Sequence, residues 1–378
     1  MTETKSESNS NVRDWLALER IPLVGPLTIA KLVDAFGCPR EILKANARSI
    51  RLRTGLSERL SNSISCFKPE STEIERDLAT LEQLNARVLT RWDEGYPKNL
   101  KDIYDPPALL FVRGSLLPVD TEAVAVVGTR NPTRYGVELA KSITGHLVRS
   151  NFTVVSGLAR GIDTTCHLSA LKAGGRTIAV LGCGLDISYP RENESLIERI
   201  VESGAVISEF RPGTAPLKTN FFRRNRIVSG LSRAVVVVQA SRKSGSLITA
   251  SHALDQNRDV FAVPGNVTDE RSRGPHYLIK QGAGLVESAE DILPSLISPQ
   301  TVTMRGYSSS DEIAITKVEI SETAKIILDF LDLDPTPIDL ICESIKIETG
   351  KLLGSLLELE LLGLVRQSPG KMFSRIRV

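Results

Sequence analysis

The sequence predicts an α/β fold, an extended and mainly parallel doubly wound sheet with a helical domain on either flank. Two observations carry that expectation. From residue 108 to about 297, apolar strand runs alternate with amphipathic helices. The runs themselves are nearly continuous in valine, isoleucine, leucine and alanine rather than alternating apolar with polar. Strands of that kind are buried on both faces, as in a parallel sheet covered by helices. Helical crossovers between such strands build a Rossmann-like sheet.

Taken in order, residues 1–10 are polar, lack the apolar core of a signal peptide and read as a disordered leader. Residues 11–85 read as a helical domain. "LERIPLVGPLTIAKLVDAFGCPREIL" sets apolar residues at helical spacing on both sides of Gly25-Pro26, as in a helix-hairpin-helix or SAM-like module. The turn of such a module can offer backbone N–H groups to a phosphate. A small packing bundle accounts for the same pattern, because the turn holds no lysine or arginine. "STEIERDLATLEQLNA" continues as helix, and a short strand follows at Ala86–Thr90. Residues 86–297 form the Rossmann-like domain, with strands expected at "ALLFVRG", "AVAVVG", "FTVVSG", "RTIAVLG", "GAVISE", "RAVVVVQA", "DVFAVPG" and "GLVES". Residues 298–317 turn polar and read as a linker. Residues 318–378 give three helices and a β-like tail, the pattern of a winged helix.

Composition narrows the function. The 47 Lys+Arg and 45 Asp+Glu leave a formal charge of +2, which excludes a uniformly basic coat but not a local patch. No apolar run approaches the roughly 18 residues of a membrane span. The cysteines, Cys38, Cys66, Cys166, Cys183 and Cys342, are scattered without a C-x-x-C pair. Neither a disulfide framework nor a cysteine zinc site fits, and a reducing, cytoplasmic setting is expected.

Gly128, Gly157, Gly182 and Gly184 fall where strands should end. Ligands of open α/β sheets bind there, and glycine admits a phosphate close to the backbone. Plain structural turns explain the same glycines. Neither G-x-G-x-x-G nor a P-loop occurs. Between Glu209 and Asp255 there is no acidic residue, while Arg211, Lys218, Arg223, Arg224, Arg226, Arg233, Arg242 and Lys243 all stand in that stretch. The segment reads as an uncompensated polyanion site, with a solvated face as the alternative. Its turn Lys243-Ser244-Gly245-Ser246 opens a helix and can form an anion nest. Phe221 and Phe222 lie in the same segment, and a ring beside cations is what single-stranded nucleic acid stacks on. Core rings are the alternative.

Catalytic patterns are weak. His146, His167, His252 and His276 lack metal spacing. Asp163, four residues before His167, makes either a buried structural contact or an acid–base pair. Ser156 and Cys166 lack a triad or nucleophile-elbow context. No catalytic residue, metal or cofactor is assigned.

From Tyr96 to Val286 the chain carries "YPKNLKDIYDPPALLFVRG", "VAVVGTRNPTRYG", "VVSGLARGIDTTCHLSAL", "IAVLGCGLDISYPREN", "ISEFRPGTAPLKTNFFRRNRIVSGLS" and "SRKSGSLITASHALDQNRDVFAVPGN". In these motifs it resembles the DprA/Smf family of DNA-processing proteins. The resemblance implies a non-catalytic, cofactor-free protein of natural transformation that binds and protects incoming single-stranded DNA. It further implies loading of the RecA recombinase and a homodimer built through the Rossmann-like domain. By motif position it puts DNA contacts on Arg130 of the Gly128-Thr129-Arg130 turn, and on Arg191, Lys218, Phe221, Arg224, Asn225 and Arg226. The strand-end residues Ser156 and Gly157 and the turn Lys243, Ser244, Gly245 and Ser246 complete the expected DNA-binding set. Three departures stand out. Thr129 replaces a common serine, Phe222-Arg223 replaces a proline-containing step, and Pro275-His276 stands where a small residue and asparagine are typical.

The alternative is a nucleotide phosphoribohydrolase of the lysine-decarboxylase-like Rossmann group. Its P-G-G-x-G-T-x-x-E segment would fall on "SRKSGSLITA", which has no glutamate. A DNA-cleaving enzyme would need clustered carboxylates for metal ions, and the basic segment has none.

The C-terminal domain carries ten acids against seven bases from Glu319 onward, a net charge of −3. Lys351 is the one cation of its "ETGKLLGSLLELELLGLV" helix, whereas a groove-reading helix needs donors and cations. The isolated fragment 317–378 should therefore bind duplex DNA more weakly than about 1 μM near physiological salt. Tighter binding in a duplex titration would refute this.

Overall fold

The computed structural model describes residues 12–68, 71–296, 321–331, 336–345, 347, 349–361, 364–368 and 372–375. The expected leader, 1–10, and linker, 298–317, lie outside the described residues. The chain forms two compact units, residues 1–304 and 305–378.

The first unit is organised by a nine-stranded sheet. Its strands are β1 (Ala86–Thr90), β2 (Leu109–Gly114), β3 (Ala123–Val127), β4 (Thr153–Ser156) and β5 (Thr177–Leu181). Four more follow, β6 (Ala205–Ser208), β7 (Ala234–Val237), β8 (Asp259–Ala262) and β9 (Gly284–Leu285). The order is β1-β2-β6-β5-β4-β3-β7-β8-β9. From β6 to β9 all neighbours are parallel, and β2 joins β6 antiparallel. Every expected strand run is a strand. The chain winds outward from β3 to β6, then crosses back to place β7 on the other side of β3. This reversal makes the β3/β7 boundary the topological switch point, and loops at the strands' carboxyl ends splay apart there.

Alternation in β3 shows why both faces must be covered. Ala123, Ala125 and Val127 pack with Ile227, Val228 and Leu231 on one side. Val124 and Val126 pack with Ala140, Ile143 and Leu147 of the helix Arg134–Arg149, and with Ile162 and Cys166, on the other. All five strand residues are buried, and full burial of each valine is worth roughly 1.5–3 kcal/mol.

The N-terminal helices do not stand apart. Leu16, Ala17, Ile74 and Leu81 share one apolar cluster with Phe111, Ile200 and Val206 of the sheet layer, and Trp15 stacks on Trp92 at 5.1 Å. The expected boundary near residue 85 thus falls inside one unit, because the sheet's antiparallel edge needs a cover and these helices supply it. In the second unit the helices Glu322–Phe330, Ile338–Ile345 and Thr349–Leu361 enclose Ile327, Ile341, Leu352, Leu356 and Phe373. A small antiparallel sheet accompanies them, β10 (Thr336–Pro337), β11 (Val365–Ser368) and β12 (Met372–Arg375). This is a winged helix, with β10 an addition to the hairpin the sequence suggested. Among the described residues no helix is long and apolar enough to cross a membrane.

Charge is buried where the helices meet the sheet layer. Arg20 pairs with Asp77 at 2.7 Å. Beside it, Glu19 keeps Oε2 closed off from solvent and without a hydrogen-bond partner. Burial pushes the Glu19 carboxyl up from 4.5 to about 7, against the pull of Arg211, and Glu209 adds to the rise. Between those pH values the folded chain holds a proton that the unfolded chain has lost. The contribution of Glu19 to stability is therefore greatest below this window and falls as pH rises through it. Glu19→Gln should remove roughly 1–3 kcal/mol of that fall, since each pH unit contributes at most about 1.4 kcal/mol. Melting temperatures of both proteins across the window check it, and parallel profiles would refute it.

Candidate nucleic-acid interface

A cleft of about 450 Å³ opens over the carboxyl ends of β3, β4 and β5. Arg130 and Asn131 follow β3, Gly157, Ala159 and Arg160 follow β4, and Tyr189, Arg191 and Glu192 follow β5. Phe221 and Arg224, from the helix Lys218–Gly230, form the remaining wall.

Arg224 is buried at 5% exposure. Its Nη1 donates to the Gly157 carbonyl at 2.5 Å and to that of Val180. A Cβ on Gly157 would occupy the space of this guanidinium, so glycine at the end of β4 is required by the arginine. Asp163 lies close behind. Its Oδ2 accepts the N–H of Gly157 at 3.1 Å and of Ala159 at 3.4 Å. That holds the turn in which Leu158 takes a left-handed φ of 55°, a conformation costly for a side chain with a Cβ. Burial raises the Asp163 carboxyl, and the Arg224 charge draws it back down.

Phe221 is half-buried. Its ring lies on the backbone of Gly182, where an added Cβ would come within 2.6 Å of Cδ1. Tyr189 packs against it with ring centroids 5.4 Å apart, and the guanidinium carbons of Arg130 and Arg224 each sit 5.9 Å from its centroid. The loop bearing Arg130 is tied to the end of β7: Thr129 N donates to the Gln239 carbonyl at 2.7 Å, and Thr133 N to Gln239 Oε1 at 3.0 Å. The loop bearing Arg191 is tied to the β4 turn through Asn193 Nδ2 and the Leu158 carbonyl at 2.9 Å.

The charge balance corrects the expectation of an uncompensated segment. Glu209 Oε2 accepts from Arg226 at 2.5 Å and Arg223 at 3.4 Å, Asp105 pairs with Arg226 at 3.0 Å, and Glu122 pairs with Arg233. These acids lie outside the acid-free stretch in sequence, and the fold returns them to it. Within the cleft Arg160 is held by Glu192 at 2.9 Å. Arg130 and Arg191 are exposed and, among the described residues, have no acidic partner.

The expected residues thus fall into four groups. Arg130, Gly157, Arg191, Phe221 and Arg224 come together in the cleft, beside Gly128 and Thr129. Lys218 is exposed in the first turn of the helix, outside the cleft lining. Lys243, Ser244, Gly245 and Ser246 form a separate turn at the switch point. There Ser244 caps the helix Gly245–Asp255, Ser246 Oγ donates to the Gly128 carbonyl at 2.9 Å, and Asn225 Nδ2 donates to that of Gly245 at 3.1 Å. Two residues leave the interface. Ser156 is fully buried with its hydroxyl given to the Val126 carbonyl at 2.7 Å. Arg226 is buried in its pairs with Glu209 and Asp105, on another side of the helix from the cleft.

Asp163 and His167 form no acid–base pair. His167 Nδ1 bonds Thr177 Oγ1 at 2.7 Å, and burial pushes the ring down to about 3. Burial likewise raises the thiols of Cys166 and Cys183, to about 12 and 11, far from a reactive thiolate. Among the described residues no group of three or more His, Cys, Asp or Glu could hold a metal ion. The reading from residues missed Tyr189, Arg160 and Gln239. Tyr189 and Arg160 sit in the "ISYPREN" and "GLARGID" stretches, so the signal was present. Gln239 at the end of β7 had none.

A doubly wound, mainly parallel sheet whose strand-end cleft joins arginines to aromatic rings defines the class: an α/β protein of the Rossmann-like type. Residues 87–297 match the family model described as DNA recombination-mediator protein A, and residues 316–371 match the DprA winged helix domain. Protein Smf of Synechocystis is 35% identical, over 97% of this chain and all of the relative. DNA processing protein DprA of Bacillus subtilis is 44% identical, over 63% of this chain and 79% of its own length. Among solved structures, DprA of Streptococcus pneumoniae superposes with a TM-score of 0.67 at 35% identity, covering 76% of this chain and 98% of that one. DprA of Helicobacter pylori, whose structure concerns a single-stranded DNA binding mode, superposes at 0.51 with 31% identity, covering 56% and 95%. The chain belongs to the DNA recombination-mediator protein A family.

Gly157→Ala should force the Arg224 guanidinium off its two carbonyls and lower stability by about 1–3 kcal/mol, the cost of stranding buried polar groups. Denaturant unfolding measures it. A variant as stable as the parent would show that Arg224 does not hold the β4 turn.

Proposed function

We propose that this chain binds single-stranded DNA, without sequence specificity, across the cleft at the ends of β3, β4 and β5. One observation carries the reading: exposed Arg130 and Arg191, free of acidic partners among the described residues, flank a half-buried Phe221 ring already packed on Tyr189. Phosphates would run along the two guanidinium groups while a base stacks on the aromatic pair. A duplex hides its base faces and cannot use that platform. The single-stranded DNA binding mode described for the Helicobacter pylori relative supports the same occupant.

The role is binding rather than catalysis. The family resemblance extends it to protecting incoming DNA in natural transformation and loading RecA in the cytoplasm. It also implies a homodimer through the Rossmann-like part. The outer strand β9, with Leu285 half exposed, leaves a sheet edge that is unpaired among the described residues and suited to such pairing. The phosphoribohydrolase alternative finds no support at the turn 241–246, which carries no carboxylate.

Salt-titrated binding of matched single- and double-stranded oligonucleotides is the direct test, and tighter duplex binding would overturn the reading. Lys218→Ala and Arg130→Ala should each flatten the log K versus log salt slope by about 0.7, the value for one single-strand phosphate contact. An unchanged slope removes that residue from the phosphate path. Phe221→Ala should weaken single-strand binding by roughly 1–3 kcal/mol. A large fall in melting temperature with normal affinity would instead make the ring purely structural.

A further inference from the structure

The helix Lys218–Gly230 presents a second aromatic ring away from the cleft. Successive residues of a helix are turned by about 100°. Phe221 faces the cleft, while Phe222 lines a separate groove of about 630 Å³. Phe222 is 37% exposed, and Lys218 Nζ lies 5.8 Å from its ring centroid. Arg223 shares this groove with its side chain 54% exposed and its guanidinium paired to Glu209 at 3.4 Å. Asp105 is also in the groove, but buried Arg226 engages its carboxylate at 3.0 Å. The opposite wall is the Gly25-Pro26 turn of the N-terminal helices.

The groove therefore repeats the central feature of the cleft, an accessible ring with a cation over it. The two rings are neighbours in sequence, with Lys218 in the helical turn before both.

We propose that the groove is a second base-stacking subsite for single-stranded nucleic acid. It takes bases of the strand held at Phe221 after that strand crosses the amino end of the helix. The proposal rests on the reading of the cleft as the primary single-strand site. The exposed Lys218 cation over the Phe222 ring, and the adjacency of Phe221 and Phe222 on one helix, select this occupant.

The test is binding of oligothymidines from about 4 to about 16 nucleotides, the span of single-strand site sizes, to the full chain and its variants. Phe222→Ala should lower affinity for the longest oligonucleotide about 5- to 150-fold, the equivalent of losing one stacked base. The loss should shrink as the oligonucleotide shortens to what the cleft alone holds. Phe222→Tyr keeps a ring and should retain long-oligonucleotide affinity, which separates stacking from misfolding. Parent-like affinity of Phe222→Ala at every length, or the same loss at every length, overturns the second subsite and leaves the cleft intact. If the parent chain binds no oligonucleotide of any length, the cleft reading itself fails.

Discussion

One buried guanidinium organises this site. Arg224 lies under the ends of β4 and β5, donates to two strand-end carbonyls and faces the Asp163 carboxylate. Burying a charge is costly unless partners offset it. Here two carbonyls accept from Nη1 and the opposite charge of Asp163 acts on the guanidinium. Asp163 in turn gathers the N–H groups of Gly157 and Ala159 and so fixes the turn. The Phe221 ring and the Arg130 loop then settle against this fixed point.

The R-N-R run on the same helix divides its work by direction. Arg224 frames the cleft, Asn225 clamps the turn after β7, and Arg226 anchors the helix to Glu209 and Asp105. Three adjacent polar residues, each turned by about 100° from the last, thus tie one helix to three parts of the fold. Charge that looked available to a ligand is largely architecture. What is left for a polyanion sits on the flexible stems of Arg130, Arg191 and Lys218 around that frame.

Position on the sheet matters as much as charge. The β3/β7 switch point is the usual crevice of an open α/β sheet. Here the turn Ser244–Ser246 fills it, bonded to Gly128 and clamped by Asn225. The open cleft is displaced toward β4 and β5, where Tyr189 and Phe221 provide flat apolar surface. The N-terminal helices cover the antiparallel edge and bring the Gly25-Pro26 turn beside the other face of the arginine helix. That turn, legible as a possible module of its own, belongs to the same unit as the sheet.

The sequence by itself determined the parallel sheet, its strand runs and the winged helix, because unbroken apolar runs and helical periodicity are local signals of burial. The basic, aromatic-bearing segment also singled out Phe221, and the resemblance carried by contiguous motifs singled out Arg130 and Arg191. Only the tertiary structure decided which charges are free. Glu209, Asp105, Glu122 and Asp163 are separated in sequence from the arginines they oppose, and strand order alone brings them together. The burial of Ser156 and Arg226 was hidden for the same reason, since which way a strand-end or helical side chain faces depends on what packs around it. Gln239 shows the limit most plainly. Its role is to hold a loop more than a hundred residues away in the chain, and no local pattern encodes a contact across β3 and β7.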